Sequence, residues 1–353
     1  MDTGIRDIFL QRCFQLARLG AGNVAPNPMV GAVLVYEDRI IGEGYHQQYG
    51  EAHAEVHCIH NALKQHAELI DKAILYVSLE PCAHYGKTPP CADLIIRHRI
   101  PRVVVGCRDS FEAVNGKGIE KLRNAGVEVI EHIATQEAIN LNKRFFTFHG
   151  LKRPYIILKW AQTRDGIMAS ANTERLKISN PVTNRLVHRW RSEEAAIMVG
   201  AATALQDDPL LDNRYWFGKA PVKIVVSGSG HLPGELKLFH SGTAAWVFNR
   251  GLAKEQAGVE WIKVERDDLI KGMLDVLFER QIQSVFVEGG HRLLQLLIKA
   301  GLWDEARIIT NREMIAGSGL QAPLLKQQVL LQTTTIGTDE ITVYKNMHNQ
   351  FIV

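Results

Sequence analysis

One histidine, one glutamate and two cysteines within the first hundred residues have the types and spacing of a metal site. His53 and Glu55 lie two residues apart in EAHAEVHCIHNAL, and Cys82 and Cys91 follow in EPCAHYGKTPPC. An imidazole and two thiolates can bind a catalytic zinc ion, which keeps its fourth position open for water. Zinc lowers the pKa of that water to about 7, and Glu55 could move its proton without binding the metal. The pattern predicts a hydrolytic zinc site.

The same residues also allow a structural interpretation. An isolated H-x-E is common by chance, and buried free cysteines often act as small hydrophobic residues. All four residues in this order, at predicted junctions between loops and helices, favour the metal site. His57 and His60 lie on the same predicted helix as Glu55, and we interpret them as ordinary helical residues.

The elements around these residues predict an α/β sheet with helices on its faces. Apolar residues at helical spacing, including Ile5 and Ile8, stop at Gly20. MVGAVLVY and RIIGEGY predict two strands around a turn at Glu37 and Asp38. Strands and helices then alternate through AILYVSL, CADLIIRHR, RVVVGC, GIEKLRNAG and VEVI.

A second α/β domain follows the segment FHGLKRPY at 148–155, which we predict to be a domain boundary because it contains Gly, Pro and basic residues. Beyond it, strand candidates such as YIILKWA, VKIVVSG and SVFVEGG alternate with helical segments such as PVTNRLVHRWRS and HRLLQLLIKAGL. We therefore predict two domains, 1–147 and 154–353.

Composition excludes several classes of protein. The formal net charge is only +3 over 353 residues, so neither domain has the concentrated positive charge of a nucleic-acid-binding protein. No stretch approaches the roughly 18 apolar residues of a membrane span, and the N-terminus lacks the pattern of a secretory signal. Five cysteines without an export signal indicate a reducing compartment and no disulfide framework. We predict a cytoplasmic protein.

H-x-E followed by P-C and a second cysteine is typical of zinc-dependent deaminases that act on nucleobases and related rings. Eight residues separate the two cysteines here, instead of the usual two. This longer segment, together with NPMVGAVLV and GEGYHQQYGEAHAE, resembles the bifunctional riboflavin-biosynthesis deaminase/reductase family. The resemblance covers nearly the whole chain. It implies an N-terminal, cytidine-deaminase-like three-layer domain and a C-terminal, dihydrofolate-reductase-like α/β domain.

For the first domain, the resemblance implies deamination of 2,5-diamino-6-ribosylamino-4(3H)-pyrimidinone 5′-phosphate, with His53, Cys82 and Cys91 as ligands of Zn²⁺ and Glu55 as proton shuttle. The implied contacts with the ring, ribose or phosphate are Asn27, His46, His84, Lys87 and Asp109. The chain departs from the family after Asp109, where Ser110, Phe111 and Glu112 replace Pro-Asn-Pro. A family asparagine contact is therefore missing, and Asn115 could replace it.

For the second domain, GAATALQDDPLLDNR and VFVEGGHRLL resemble the reductase half of the family, which uses NADPH to reduce the ribosyl group to ribityl. A Rossmann interpretation of SGSGHLPG fails, because Pro233 stands where a glycine is required. The implied contacts with NADPH are Ala161, Thr203, Asp207, Ser227 and Gly290. The implied contacts with the substrate are Lys159, Arg191, Leu211, Arg214 and Glu288.

The second domain also carries departures and alternatives. Lys177 replaces a tryptophan that packs on the cofactor in the family, and TNREMIAG (310–317) replaces an apolar run that contains proline. These changes predict an altered or weakened cofactor pocket. On a purely structural interpretation, Asp207 and Asp208 cap a turn and Arg191 is a surface residue of a helix.

Three hypotheses about function follow. The first is a bifunctional enzyme, a zinc deaminase followed by an NADPH reductase, that acts on a small-molecule substrate and could form a homo-oligomer. The second is a deaminase whose degenerate reductase domain serves as a scaffold. The third is a nucleic-acid-binding protein with a purely structural zinc ion, against which the low charge and the missing fourth ligand argue.

Overall fold

The computed structural model describes residues 7–86, 89–109, 115–131, 136–171, 176–265 and 267–348. They form two compact units, which divide between Leu151 and Lys152. We call the N-terminal one unit 1 and the C-terminal one unit 2. None of the helices in these ranges combines the length and the hydropathy that crossing a lipid bilayer requires.

Unit 1 contains a five-stranded sheet between two layers of helices. Its strands are β1 (Gly31–Tyr36), β2 (Arg39–Tyr45), β3 (Ile74–Val77), β4 (Arg102–Val105) and β5 (Glu128–Glu131). Its helices are α1 (Asp7–Arg18), α2 (Ala54–Leu63), α3 (Cys91–Arg97), α4 (Lys117–Asn124), α5 (Gln136–Leu141) and α6 (Lys143–Leu151). The strand order is β2-β1-β3-β4-β5, with β1 antiparallel to both neighbours and β3, β4 and β5 parallel.

Two apolar clusters hold the layers of unit 1 together. One contains residues of α2, α3 and α4 with one face of the sheet, and the other contains residues of α1, α5 and α6 with the opposite face. The predicted three-layer architecture is therefore confirmed. Ile8 is an exception to the predicted apolar pattern, since it lies on α1 but is 67% exposed.

Helix α6 corrects one sequence-based prediction. Residues 148–151, the first half of the segment predicted to be a domain boundary, continue this helix to Leu151. Phe145, Phe146 and Phe148 are buried, and burial of large aromatic side chains outweighs the loop-like Gly and Pro nearby. The segment between the two patterned regions is consequently shorter than the composition suggested.

Unit 2 is built on a ten-stranded sheet in the order β11-β12-β10-β9-β8-β13-β6-β14-β17-β16. The strands are β6 (Tyr155–Gln162), β7 (Ile167–Ser170), β8 (Ala196–Gly200), β9 (Val222–Val226), β10 (Ala245–Asn249), β11 (Lys254–Gln256), β12 (Val259–Lys263), β13 (Ser284–Glu288), β14 (Glu305–Asn311), β15 (Gly319–Gln321), β16 (Gln328–Ile336) and β17 (Asp339–Asn346). The helices are α7 (Pro181–Ser192), α8 (Ala201–Asp207), α9 (Leu269–Glu279) and α10 (His291–Lys299). Strands β7 and β15 form a separate small sheet.

The centre of the large sheet is parallel, and helices cover both of its faces. Seven neighbouring strands from β12 to β14 run in one direction, while β11, β17 and β16 are antiparallel to their neighbours. Residues of α9 and α10 pack on one face, and residues of α7 and α8 pack on the other. In such doubly wound sheets, ligands bind at the carboxyl ends of the parallel strands.

Candidate active site

The three predicted metal ligands of unit 1 converge. His53 is the N-cap of α2, Cys91 is the first residue of α3, and Cys82 lies in the loop after β3. His53 Nδ1 lies 3.6 Å from Cys82 Sγ and 3.4 Å from Cys91 Sγ. Ligands of a tetrahedral zinc ion, at Zn–S and Zn–N distances of about 2.3 and 2.0 Å, stand about 3.5 Å apart. The donor set and its spacing therefore fit zinc.

The start of helix α3 also favours metal binding by Cys82. The Cys91 backbone N–H donates to Cys82 Sγ over 3.3 Å. The Cys91 side chain and then His53 hold the pKa of the Cys82 thiol well below its usual range, while the pKa of Cys91 is raised by the same contact with Cys82. Cys82 is thus the thiol more readily ionised, and thiolates are the metal-binding form.

Glu55 lies beside the ligands, in the first turn of α2. It is only 3% exposed, and burial raises its pKa to about 6. A carboxyl group with a pKa near neutrality can both accept and return a proton. The environment of Glu55 therefore suits the proton shuttle that the sequence predicted.

Asn27 and His46 lie next to the cluster. The His46 ring is 5.2 Å from that of His53. Its Nδ1 donates to the carbonyl of Ala52 over 3.0 Å, so its Nε2 accepts from Asn27 Nδ2 over 3.1 Å. Burial lowers the pKa of His46, so a neutral imidazole faces the site and fixes the orientation of the Asn27 amide.

The other predicted substrate contacts of unit 1 differ in their surroundings. Asp109 is buried after β4, whereas His84 is exposed in the loop after Cys82. Lys87 and residues 110–112, where the chain departs from its resemblance, lie outside the described residues.

Glu80 is a residue of this site that the sequence analysis missed. Its buried carboxylate accepts backbone N–H bonds from Asp109 (3.2 Å), Gly116 (3.0 Å), Gly118 (2.9 Å) and Ile119 (3.3 Å). The loop that carries Cys82 is thereby joined to the segment that carries Asp109 and to the start of α4. The approach is so close that a Cβ at residue 118 would lie 1.8 Å from the carbonyl oxygen of Pro81. In the sequence, the one feature that could have drawn attention to Glu80 was its position two residues before Cys82.

Replacing Glu80 by glutamine should destabilise unit 1 by about 2–4 kcal/mol, because an amide NH₂ group would face backbone donors that bonded a charged acceptor. We expect zinc to be lost to a chelator faster as well. Glu131→Gln is the matched control, since Glu131 forms partly exposed ion pairs with Arg108 and Arg123 and should cost at most about 1 kcal/mol. Chemical denaturation and the rate of zinc release test this, and equal behaviour of the two variants would refute it.

An ion network whose side chains are only 10–14% exposed lies at the carboxyl ends of two central strands of unit 2. Lys159 and Glu288 are register partners on β6 and β13, and Lys159 Nζ lies 3.5 Å from Glu288 Oε2. Arg191 of α7 binds the same carboxylate with two nitrogens, at 2.5 and 2.9 Å. Its third nitrogen donates to Asp212 O over 2.6 Å. The interpretation of Arg191 as a surface residue is therefore wrong.

The network also distinguishes Arg191 from Arg214, the two arginines among the implied substrate contacts. Each of the three side-chain nitrogens of Arg191 donates to a protein acceptor, whereas the Arg214 side chain is 44% exposed and bonds Asp212 Oδ1 over 2.5 Å. Burial raises the pKa of Glu288, but Arg191 and Lys159 outweigh it and bring the pKa to about 2. Glu288 is thus ionised, and Arg214 is the arginine with donors exposed for an anion.

The predicted cofactor contacts lie on elements that end at the same edge of the sheet. Ala161 is near the end of β6, Ser227 follows β9, and Thr203 lies in the first turn of α8, which follows β8. Gly290 has φ +77, and a Cβ there would lie 2.9 Å from Thr203 Oγ1. Asp207 is exposed at the end of α8.

Two further residues clarify these predictions. The turn after α8 is bonded through Asp208, which accepts the Lys237 N–H over 2.8 Å, rather than through Asp207. The Leu211 side chain is 3% exposed and packs in an apolar cluster, so a substrate contact there would use its backbone.

The segments where unit 2 departs from its resemblance are held by hydrogen bonds. Lys177 is exposed, and the neighbouring Ile178 O accepts from Asn311 Nδ2 over 2.8 Å. Asn311 also accepts backbone N–H bonds from Glu313 and Met314. The different residues at 310–317 thus form a specific loop.

The buried side chain of His188 makes the stability of unit 2 depend on pH. It is 1% exposed beside Arg191 and Arg214, and its ring lies 4.7 Å from that of Tyr215. Burial, followed by these two arginines, lowers its pKa from 6.5 to about 4. Between these values the unfolded chain binds a proton that the folded chain does not, so stability falls as the pH falls.

His188→Gln should lose less stability between about pH 7 and about pH 5 than the wild type. Denaturation midpoints at both pH values test this, and equal losses would contradict it.

Comparisons with known proteins find relatives of both units. The family model for the cytidine and deoxycytidylate deaminase zinc-binding region matches residues 6–107, and that for the RibD C-terminal domain matches residues 154–346. The riboflavin biosynthesis protein RibD of Aquifex aeolicus is 39% identical over 90% of each chain. That of Bacillus amyloliquefaciens is 37% identical over 89% of this chain and 86% of its own.

A solved structure extends the agreement to the fold. The diaminohydroxyphosphoribosylaminopyrimidine deaminase/5-amino-6-(5-phosphoribosylamino)uracil reductase of Thermotoga maritima is 34% identical, with a TM-score of 0.88 over 96% of this chain and 98% of its own. These matches span both units and confirm the bifunctional deaminase and reductase of the leading hypothesis. The chain belongs to the RibD family of riboflavin biosynthesis enzymes, which combine a zinc-dependent deaminase with an NADPH-dependent reductase.

Proposed function

We propose that unit 1 deaminates 2,5-diamino-6-ribosylamino-4(3H)-pyrimidinone 5′-phosphate and that unit 2 then reduces its ribosyl group to ribityl. The observation that carries the proposal is the convergence of His53 Nδ1, Cys82 Sγ and Cys91 Sγ beside the buried carboxyl of Glu55. The reaction named for the Thermotoga maritima relative supports the choice of substrate.

In unit 1, His53, Cys82 and Cys91 would hold the zinc ion. When bound, zinc lowers the pKa of a water molecule and so supplies a nucleophile at neutral pH. Glu55 takes the proton of the attacking water and delivers it to the departing amine. The C–N bond breaks, a C=O bond forms and ammonia leaves. Asn27, oriented by His46, offers its remaining N–H and its Oδ1 to the edge of the pyrimidinone.

In unit 2, the ionised Glu288 orients the cations around it. It holds Lys159 next to the reacting ribose and fixes Arg191 against the 212–214 segment. Arg214 offers its exposed guanidinium to the substrate phosphate. NADPH supplies a hydride when bound. Gly290, the N-cap of α10, offers backbone amides to a phosphate of that cofactor.

The scaffold hypothesis differs only in unit 2, where Lys177 replaces the expected tryptophan. The intact network of Lys159, Arg191 and Glu288 supports a working reductase. The hypothesis of a structural zinc ion is disfavoured, because the ligand cluster found within the described ranges has three members rather than four.

Metal analysis and product identification test the proposal. Freshly purified protein that has not been exposed to a chelator should contain one zinc ion per chain and release ammonia from the diaminopyrimidine phosphate. Supplied with the deaminated compound, it should oxidise NADPH. Absence of a stoichiometric metal ion would refute the deaminase assignment. Ammonia release without NADPH oxidation would support the scaffold hypothesis.

We also propose a cytoplasmic location and a homo-oligomeric state. All five cysteines are free in the structure, which supports a reducing compartment. One strand of unit 2 is exposed along its length, which supports association between chains.

A further inference from the structure

Strand β9 places a lysine inside an apolar layer of unit 2. Lys223 is 0% exposed, and its side chain lies on the same face of the sheet as that of Val225, because residues two apart on a strand share a face. Its register partners Ile197 and Ala245 belong, with Val225, to the apolar cluster that includes residues of α7 and α8. Burying an ammonium group is costly unless a partner compensates its charge. The position of Lys223 therefore calls for a functional explanation.

The protein partners of Lys223 compensate its charge only in part. Lys223 Nζ donates to Ser241 Oγ, which is a neutral acceptor. Burial lowers the pKa of the Lys223 ammonium group, whereas the carboxylate of Asp212 raises it. The same carboxylate also binds Arg214, over 2.5 Å. Asp212 thus serves two cations.

Ser241 connects this buried lysine to the segment that carries the predicted substrate contacts. Ser241 Oγ lies within donating distance, 3.3 Å, of Leu210 O. The next residue, Leu211, has φ +52, a conformation that is rare for a bulky side chain and persists only where the surroundings enforce it. Arg191 also holds the segment 210–214, through the carbonyl of its third residue. The ammonium group is therefore part of the support of the proposed substrate-binding segment.

The charged groups on and around this segment do not cancel. Four cations and two carboxylates are joined by ion pairs, hydrogen bonds or electrostatic interaction: Lys159, Arg191, Glu288, Arg214, Asp212 and Lys223. The neighbouring His188 adds no charge at neutral pH, because burial and the two arginines lower its pKa to about 4. The network consequently has a net charge of +2. A phosphate monoester carries about −1.5 to −2 at pH 7, so the network matches it only if Lys223 is included.

We propose that Lys223 is a positioning residue of the reductase, which supplies the second net positive charge for the 5′-phosphate of the substrate without contacting it. This inference rests on the proposed function of unit 2. Charges interact more strongly through the interior of a protein than through water, so a buried ammonium group attracts a phosphate that Arg214 contacts at the surface. Lys223 thereby favours the phosphorylated substrate over the neutral riboside.

The proposal also predicts a cost in stability. Replacing a buried charge by an apolar group of similar volume is often neutral or stabilising. Methionine keeps most of the length of the lysine side chain and removes its charge. Lys223→Met should therefore be at least as stable as the wild type in chemical denaturation, although it binds the substrate less tightly. A residue with a merely structural role would show the opposite, a loss of stability without selectivity for the phosphate.

Binding of two compounds to the full-length protein tests the proposal. The compounds are the deaminated substrate and the same riboside without its phosphate, each titrated by calorimetry in the absence of NADPH. Lys223→Met should raise the Kd of the phosphorylated compound about 10-fold and leave the Kd of the phosphate-free compound unchanged. In the reductase assay KM should rise by the same factor and kcat should stay within about twofold, because the attraction acts equally on the ground state and the transition state.

Two further variants control for charge and for folding. Lys219→Met makes the same change at an exposed lysine in the loop before β9 and should leave both Kd values unchanged. Asp212→Asn keeps an oxygen that can accept from Arg214 but removes the negative charge that Arg214 and Lys223 share. It should tighten binding of the phosphorylated compound by about threefold or more.

The outcomes separate this proposal from the function on which it rests. Unchanged binding of both compounds to Lys223→Met, or equal weakening of both, would overturn the role of Lys223. If that variant does not fold, unchanged or weaker binding of the phosphorylated compound to Asp212→Asn would overturn it instead. Wild-type protein that binds neither compound would refute the proposed reductase together with this inference.

Discussion

Replacing Glu55 by glutamine should reduce deamination by about 10²–10⁴-fold, because the reaction loses the group that moves a proton from water to the departing amine. Glutamine has nearly the same shape, and the three ligand atoms of His53, Cys82 and Cys91 remain in place. The variant should therefore bind zinc with wild-type stoichiometry. It should also oxidise NADPH normally when supplied with the deaminated substrate, because the reductase residues belong to unit 2. Ammonia release, zinc content and NADPH oxidation on one preparation test these expectations.

The control for this variant is Glu68→Gln, which makes the same change of charge at an exposed glutamate in the short 3₁₀ helix after α2. It should leave both reactions unchanged. Loss of zinc from Glu55→Gln would mean that Glu55 supports the metal site rather than the proton transfer. Loss of both reactions together would mean that the two sites are not independent.

The metal site could be predicted from sequence because its ligands lie in two short segments with strong local signals. His53 and Cys91 lie at the starts of helices α2 and α3, at the junctions between loops and helices that the sequence predicted. Glu80 could not be predicted in the same way. Its role depends on the backbone N–H groups of Asp109, Gly116, Gly118 and Ile119. Backbone donors cannot be recognised from the identities of side chains.

In unit 2, too, elements and contacts without a local sequence pattern could not be predicted. Its central strands and three of its helices followed from apolar periodicity, because each buries a regular face. The hairpin of β16 and β17 was missed, because β16 presents no buried face to create a pattern. The partners of Arg191 were also not predictable, since its helical pattern fits a surface residue and Glu288 lies 97 positions away. Resemblance named these residues, but only the geometry separated the role of Arg191 from that of Arg214.

Replacing Glu288 by glutamine should impair both the stability of unit 2 and its reductase activity. The change leaves Arg191 and Lys159, which are only 12% and 14% exposed, without their counter-charge. Breaking a fully buried ion pair costs about 3–5 kcal/mol, so we expect a loss at or just below that range. Displacement of these groups by about 1 Å would lower reductase turnover by about 10²-fold. Deamination should be unchanged in the same preparation. NADPH oxidation and hydrogen exchange of β6 and β13 test the two effects.

Glu260→Gln provides the matched control for Glu288→Gln. Glu260 also binds an arginine with both oxygens, at 2.6 Å each, but its side chain and that of Arg280 are 35% and 33% exposed. Water can replace this pair, so its loss should cost no more than about 1 kcal/mol. A small and equal effect of the two substitutions would show that Glu288 is dispensable for orienting Arg191. A large effect confined to Glu288→Gln would show that burial makes this carboxylate necessary, because buried cations without a counter-charge have no water to replace it.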